Sequence, residues 1–175
     1  MKKTILLIAV LGLAGMVVNA QKMKNEPINS SVSPAEDKVA LRELVDTFSI
    51  LADKKDTKGQ VLLFTQNGSV RTLRGGSEVS RLDGRANMEA AFAAFLKNFD
   101  TVYHFNGQHV LELHGNKATG ILYCLVTLIG LDNGKQMKTT IGVIYNDEYV
   151  RENGRWLIAK RTSDFSWQDK RELGQ

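Results

Sequence analysis

Four long segments rich in β-branched and aromatic residues decide the fold: TVYHFNGQHVLEL (101–113), ATGILYCLVTLIGL (118–131), KTTIGVIYNDEYVR (138–151) and WLIAKRTSDFS (156–166). Three short connections separate them: His114-Gly115-Asn116, Asp132-Asn133-Gly134 and Glu152-Asn153-Gly154. Gly and Asn-Gly in such connections are typical of tight hairpins. The pattern therefore predicts a four-stranded antiparallel meander. Strands of this length must twist and curl.

The residues before these strands have helical spacing instead. Ser33-Pro34-Ala35-Glu36 combines an N-cap, a first-position Pro and a capping box, which predicts a helix start. Apolar residues then recur on one helix face until Asp53: Leu41, Leu44, Val45, Phe48, Leu51 and Ala52. A short second helix is predicted over 59–64, and two short strands over 69–74 and 78–82. A third helix follows, with its apolar side formed by Met88, Ala91, Phe92, Phe95, Leu96 and Phe99.

This order predicts an α+β fold, with three N-terminal helices packed on a strongly curved antiparallel sheet that forms a conical barrel. Helices on the concave side of a curled sheet leave a cavity. Such cavities are common small-molecule sites.

Composition sets the limits of the function classes. The chain has 175 residues, 43% hydrophobic and 24% charged, which fits one globular domain and excludes collagen-like and largely disordered classes. One cysteine, Cys124, excludes an intramolecular disulfide and a cysteine metal cluster. Three histidines leave little room for a His-rich site, so we expect no metal. A small pocket enzyme and a non-catalytic binding or interaction domain remain.

The N-terminus predicts export. Lys2 and Lys3 precede an apolar run over 5–18, and Val18-Asn19-Ala20 offers small residues for cleavage. We expect a signal peptide at 1–20, a flexible tether at 21–32 and one domain at 33–175. An uncleaved anchor is the alternative, but the run is shorter than the ~20 residues of a spanning helix. The expected location is secreted or periplasmic, with no membrane contact after cleavage and, given the small net charge, no nucleic-acid partner.

Three polar positions stand out as candidate catalytic residues. Asp53 lies where the first helix ends, at the negative end of the helix dipole, unless it is simply solvated there. His104 opens the first long strand between aromatic residues and is suited to general base chemistry, or to a structural role. Arg161 alternates with Lys160, and on the inner face it would need a carboxylate or a substrate anion; the alternative is an outward, solvated Arg.

Four further residues are candidates for substrate binding. Tyr145 and Asp147 share one face of the third strand and could line a cavity or pack across strands. Phe48 and Phe92 belong to the apolar sides of the first and third helices.

The remaining histidines and the cysteine are weaker candidates. Alternation along the strand predicts that His109 points opposite to His104, and His114 lies in a turn. Cys124 is expected to be an inert core residue.

Several short pieces, in this order and spacing, carry a family resemblance: Ala52-Asp53-Lys54-Lys55-Asp56, Leu63-Phe64-Thr65, Asp83-Gly84-Arg85, His104-Phe105-Asn106-Gly107, Tyr145-Asn146-Asp147-Glu148-Tyr149 with Asn153-Gly154-Arg155-Trp156, and Arg161. With them the chain resembles the SnoaL-like group of the nuclear transport factor 2-like, or cone-fold, superfamily over residues 36–167. The similar subgroup includes scytalone dehydratase and lindane dehydrochlorinase.

The resemblance implies an Asp–His dyad in the cone, in which the His removes a proton and the Asp orients it. Asp53 and His104 stand at the matching positions, and Arg161 matches an Arg that supports the dyad in the dehydrochlorinase. Similar proteins often dimerise through the outer sheet face, so the resemblance also implies a homodimer.

Three positions depart from the dehydratase pattern. Leu128 stands near the place of a second His, Ala52 replaces a Tyr, and Tyr145 replaces an Asn. The resemblance is therefore weaker for the dehydratase reaction itself than for the Asp–His dyad, and a dehydratase-like lyase stays among the expectations.

Two main functions follow as hypotheses. The first is a lyase or isomerase without cofactor, acting on a small apolar or cyclic molecule with His104 as base. The second is a non-catalytic domain that binds an apolar ligand in the same cone. A dimeric scaffold is a third alternative, which a cavity filled with side chains would favour.

Overall fold

The computed structural model describes residues 33–174, so the predicted signal peptide (1–20) and tether (21–32) lie outside the described residues. The elements in chain order are α1 (Pro34–Asp53), α2 (Thr57–Val61), β1 (Phe64–Arg74), β2 (Ser77–Asp83), α3 (Arg85–Leu96), β3 (Thr101–His114), β4 (Lys117–Asp132), β5 (Lys135–Glu152) and β6 (Arg155–Glu172). Within this part of the chain, no helix has the length and apolar character needed to span a membrane.

The α+β fold class is confirmed, with helices packed on one six-stranded sheet in the order β2-β1-β6-β5-β4-β3. β3 to β6 form the predicted antiparallel meander. The sheet as a whole is mixed rather than purely antiparallel, because β1 pairs with β6 in parallel. It is also open, since β2 and β3 are its two edges. Hairpin turns show how neighbouring segments pair, but carry no information on how β1 meets a strand some ninety residues later.

The second helix is shorter and earlier than the predicted 59–64. Asp56 caps it, with its Oδ1 accepting a hydrogen bond from the Gly59 backbone N–H at 2.9 Å. The apolar residues assigned to its end begin a strand instead, because Phe64 pairs with Ile158 of β6. Both residues are fully buried, so tertiary packing overrides the local pattern.

The predicted capping box starts α1. Ser33 Oγ accepts from the Glu36 backbone N–H at 3.2 Å, and the Ser33 N–H donates to Glu36 Oε2 at 2.7 Å. The apolar side of α1 enters the core through Leu41, Leu44, Val45 and Phe48. The helix is thereby packed against the inner face of the sheet.

A second, polar stripe of α1 faces β3, at helical spacing: Arg42, Asp46, Ser49 and Asp53. Ser49 Oγ donates to the Asn106 amide oxygen at 3.1 Å, and the Asn106 amide nitrogen donates to Asp46 Oδ1 at 2.8 Å. The Arg42 guanidinium donates to the Gly107 carbonyl at 2.8 Å and the Asn106 carbonyl at 3.3 Å. These contacts fix the register between helix and strand.

A β-bulge lies where Arg42 binds β3. Asn106 pairs with Cys124, whereas the next paired residue, His109, faces Leu122, so one extra residue is inserted in β3. The insertion corrects the prediction for His109, which lies on the same inner face as His104. Simple alternation fails here because the extra residue shifts the phase of all following side chains.

Asp37, in the first turn of α1, ties the helix to the far end of the sheet. The Arg151 guanidinium binds Asp37 Oδ1, and the Trp156 indole N–H donates to the same oxygen at 3.1 Å. Arg151 also stacks over the Trp156 ring, 4.5 Å from its centre. Asp37 is buried, so its removal would leave the Arg151 guanidinium and the Trp156 indole N–H without their acceptor.

We therefore expect Asp37→Ala to lower the free energy of unfolding by about 2–3 kcal/mol, because the buried Trp156 and the partly buried Arg151 lose their acceptor. Urea denaturation measures this. Glu43→Ala, at an exposed position on the same helix, is the matched control and should change stability by less than about 0.5 kcal/mol. Equal effects of the two substitutions would contradict the anchoring role of Asp37.

Candidate functional site

A cavity of about 290 Å³ lies between the helices and the inner face of the sheet. Its walls are mainly apolar and include Phe48 of α1, Phe92 of α3, and Val126, Leu128 and Phe165 of the sheet. Phe48 contacts Phe92 edge-on, with ring centres 6.2 Å apart. Hence both phenylalanines predicted to bind substrate line this cavity.

His104 is part of the cavity wall and contacts Asp53 at the end of α1. Asp53 Oδ1 lies 2.7 Å from His104 Nδ1, and Asp53 Oδ2 accepts from the His104 backbone N–H at 3.3 Å. The His104 side chain is 8% exposed and that of Asp53 is 26% exposed. Asp53 is the last residue of α1, which positions its carboxylate. The contacts of the polar stripe fix the register of β3 relative to α1, and thereby bring His104 next to Asp53.

This contact selects one tautomer of the imidazole. A carboxylate at Nδ1 requires a proton there, which leaves the Nε2 lone pair free. His104 is a wall residue of the cavity, and within residues 33–174 its Nε2 has no hydrogen-bond partner. The arrangement has the geometry of a general base whose conjugate acid a carboxylate stabilises.

Arg161 lies on the inner face of β6, in a buried ion pair with Asp147 of β5. Its Nε donates to Asp147 Oδ1 at 2.8 Å and its Nη2 to Oδ2 at 2.7 Å. The two side chains are 1% and 0% exposed. Burial opposes the charge of Arg161, but Asp147 more than compensates and holds its pKa above the usual value.

The Arg161 guanidinium is also held between two rings. Its central carbon lies 4.3 Å from the ring centres of both Phe48 and Tyr145. Its third nitrogen, Nη1, is buried and has no hydrogen-bond partner among the described residues. Arg161 is also one of the residues that line the cavity.

The carboxylate that Arg161 pairs with is therefore Asp147 and not Asp53. The hypothesis that Arg161 supports Asp53 directly is corrected in this respect, as is a solvated, outward Arg161. Asp147 does not line the cavity and instead binds Arg161. The prediction that Asp147 contacts the substrate directly is therefore corrected as well. Tyr145 does line the cavity, and burial raises the pKa of its hydroxyl, which stays neutral.

Asp147 is shared with a second group of buried side chains. The Tyr149 hydroxyl donates to Asp147 Oδ2 at 2.7 Å, and His109 Nε2 lies 3.2 Å from the Tyr149 oxygen. Burial lowers the pKa of His109, so its ring is neutral near pH 7 and donates through Nε2. The chain of contacts from His109 to Arg161 holds the guanidinium in one orientation.

Gln60 of α2 is a cavity residue that the sequence pattern did not single out. It is 3% exposed, its Nε2 donates to the Phe48 carbonyl at 3.4 Å, and its Oε1 has no partner among the described residues. The available signal was a polar residue at the head of the apolar run Val61-Leu62-Leu63-Phe64.

Burial raises the pKa of Cys124 to about 12, which fits the predicted inert thiol.

Residues 33–174 contain no cluster of three or more His, Cys, Asp or Glu side chains arranged to hold a metal ion. His114 lies exposed at the end of β3.

Comparison with solved structures gives many similar folds at low identity. A hexachlorocyclohexane dehydrochlorinase (LinA, type 2) is 16% identical, with a TM-score of 0.68 over 79% of this chain and 91% of that one. A candidate scytalone dehydratase from Novosphingobium aromaticivorans is 14% identical, with a TM-score of 0.66 over 79% and 94%. An NTF2-like protein with a cystatin-like fold from the same organism is 20% identical, with a TM-score of 0.59 over 75% and 82%.

At these identities the likeness shows the fold alone. No curated protein matches the chain in sequence. A family model described as the SnoaL-like domain, however, matches residues 33–162, which is most of the described chain and includes Asp53, His104 and Arg161. The chain therefore belongs to the SnoaL-like domain family.

Proposed function

We propose that this domain is a cofactor-independent lyase or isomerase that removes a proton from carbon in a small, largely apolar substrate. The observation that supports it is the 2.7 Å contact between His104 Nδ1 and Asp53 Oδ1 at the edge of an apolar cavity. A base held by a carboxylate, with its second nitrogen free, is the main requirement of such chemistry. The dehydrochlorinase and the candidate dehydratase among the similar folds are named for eliminations.

In the proposed reaction His104 Nε2 takes a proton from a substrate carbon. The electrons of that C–H bond form a double bond. In an elimination the bond between the neighbouring carbon and the leaving group breaks, and the leaving group takes the electron pair of that bond. The imidazolium then carries the proton, and Asp53 stabilises its charge. In an isomerisation the proton returns to a different carbon, so that no group is lost.

Arg161 supplies the complementary electrophile. Its Nη1 can donate to an oxygen or leaving group on which negative charge grows in the transition state. Asp147 and the rings of Phe48 and Tyr145 hold the guanidinium, so little reorganisation is needed when the charge develops. Phe48, Phe92 and Tyr145 would form the surface against which the apolar body of the substrate packs.

The second candidate is a non-catalytic domain that binds an apolar ligand. The apolar walls of the cavity favour this function independently of the dyad. In this case Asp53 and His104 would only orient the ligand. The two functions differ in whether bound ligand is deprotonated.

We expect His104→Ala to abolish catalysed proton exchange. The protein would be incubated in heavy water with a panel of cyclic and aryl ketones, and exchange of the hydrogens next to the carbonyl followed by NMR. Loss of the base should lower the rate at least about a hundredfold. His114→Ala, which removes an exposed histidine outside the cavity, should leave the rate unchanged.

Exchange that survives in His104→Ala would contradict the assignment of His104 as base. If panel members bind but none exchanges faster than in buffer, the non-catalytic candidate is favoured instead.

We expect Asp53→Asn to reverse the tautomer of His104. The His104 backbone N–H needs an acceptor, so the amide oxygen should take the place of Oδ2 and the NH₂ group should face Nδ1. The ring would then carry its proton on Nε2 and could not act as base, with a rate loss of about 10²–10⁴-fold. Ring nitrogen chemical shifts report the tautomer directly. A variant that keeps the proton on Nδ1, or keeps its rate, would rule out this role for Asp53.

Export and a homodimer are retained as further proposals. Export rests on the sequence of residues 1–20. The dimer has a physical basis in an aromatic patch on the outer face of β3 and β4, formed by Tyr103, Phe105 and Tyr123, each about half exposed or more. A second copy of the chain would cover this patch.

We therefore predict a dimer in light-scattering measurements and a monomer for Tyr123→Lys, because a buried lysine would lack a partner. Val79→Lys is the control, since this exposed apolar residue lies on the edge strand β2, away from the patch. A monomeric wild-type protein would refute the dimer.

A further inference from the structure

We propose that Gln60 determines the specificity of the cavity, by accepting a hydrogen bond from a neutral hydroxyl or amide N–H donor on a ligand whose carbonyl oxygen binds Arg161. This inference rests on the proposed function, in that it concerns the same cavity. It goes further by naming the polar groups that the ligand carries and the residue that recognises one of them.

The orientation of the Gln60 amide follows from its neighbour. The Phe48 carbonyl lies 3.4 Å from the amide nitrogen, and a carbonyl can only accept, so the nitrogen must face it. The remaining polar atom, Oε1, is buried and has no partner within the described part of the chain. A buried acceptor that finds no donor in the protein is costly to the fold, and a ligand donor would relieve that cost.

Arg161 presents the complementary group. Its Nε and Nη2 are both used by Asp147, and only Nη1 remains without a partner in residues 33–174. Gln60 and Arg161 line the same cavity, yet no hydrogen bond joins them. They also share Phe48, whose carbonyl holds Gln60 and whose ring packs on Arg161. Two cavity residues that both contact Phe48 thus carry a buried acceptor and a buried donor, neither of which has a partner in residues 33–174.

The charge of the cavity narrows the ligand class. None of the described residues that line the cavity is Asp or Glu, so a cationic ligand would meet Arg161 without a counter-charge. The charge of Arg161 is already balanced by Asp147, so an anionic ligand would bring an unbalanced charge into an apolar site. The geometry therefore favours a neutral ligand that has a carbonyl acceptor and a separate donor on a compact apolar frame.

Four probes of matched shape test this inference: ethylbenzene, meta-ethylphenol, acetophenone and meta-hydroxyacetophenone. Their affinities would be measured by NMR titration on the full-length protein, on Gln60→Leu and on Gln60→Met. Gln66→Leu is the matched control, because Gln66 is exposed and outside the cavity. Circular dichroism verifies that each variant folds. Methionine keeps the unbranched shape of glutamine, so it serves if leucine disturbs the packing of α2.

In the wild-type protein and in Gln66→Leu, we expect the added hydroxyl to raise the affinity for the ketone about three- to tenfold. In both Gln60 variants this gain should disappear, while the affinity for acetophenone stays within about twofold because Arg161 is intact. A hydroxyl gain that persists in the Gln60 variants, or its absence in wild type, would overturn the inference.

The probes without a hydroxyl separate this inference from the proposed function. Binding of ethylbenzene and acetophenone with no preference for the hydroxylated pair overturns the role of Gln60 only. If none of the four probes binds the wild-type protein at millimolar concentration, the open ligand cavity itself is contradicted, and both proposals fall together.

Discussion

The polar stripe of α1 is the constraint on which the site depends. Ser49, Asp46 and Arg42 bind the backbone and the amide of β3 at Asn106 and Gly107, and Asp53 binds His104 a short distance along the same strand. Because a helix and a strand advance by different amounts per residue, several contacts at once permit only one register between them. The catalytic candidates meet because the rest of the stripe has already set that register.

Much of the fold could be read from local chemistry. Ser33 and Glu36 announce the start of α1, and the Asn-Gly turns impose the meander on the second half of the chain. The parallel pairing of β1 with β6 could not be read, because it joins segments far apart and no turn connects them. The same holds for the start of β1 at Phe64, whose strand conformation is set by its buried partner Ile158.

The site divides along a similar line. Asp53 and His104 each stand out by their place in the chain, but only the resemblance pairs them, since fifty-one residues separate them and nothing local links them. Alternation along β6 correctly predicts that Arg161 and the exposed Lys160 lie on opposite faces. The partner of Arg161 depends on the register of β5 against β6, where Arg161 stands opposite Asp147, and no pattern in either strand encodes that register. Gln60 escaped notice because an amide is informative only once its neighbours show which of its atoms remains unsatisfied.

The bulge in β3 makes the strand tolerant of a change in length at one place. Losing one residue at 107–108 would leave a single residue opposite Tyr123, so Asn106 and His109 would keep their partners Cys124 and Leu122 on β4. His109 and Leu111 would stay on the inner face, and Tyr149 would keep its imidazole neighbour. Relatives whose β3 is one residue shorter here should therefore keep His109 and Tyr149 and differ at Arg42, whose acceptors are the carbonyls of the bulge.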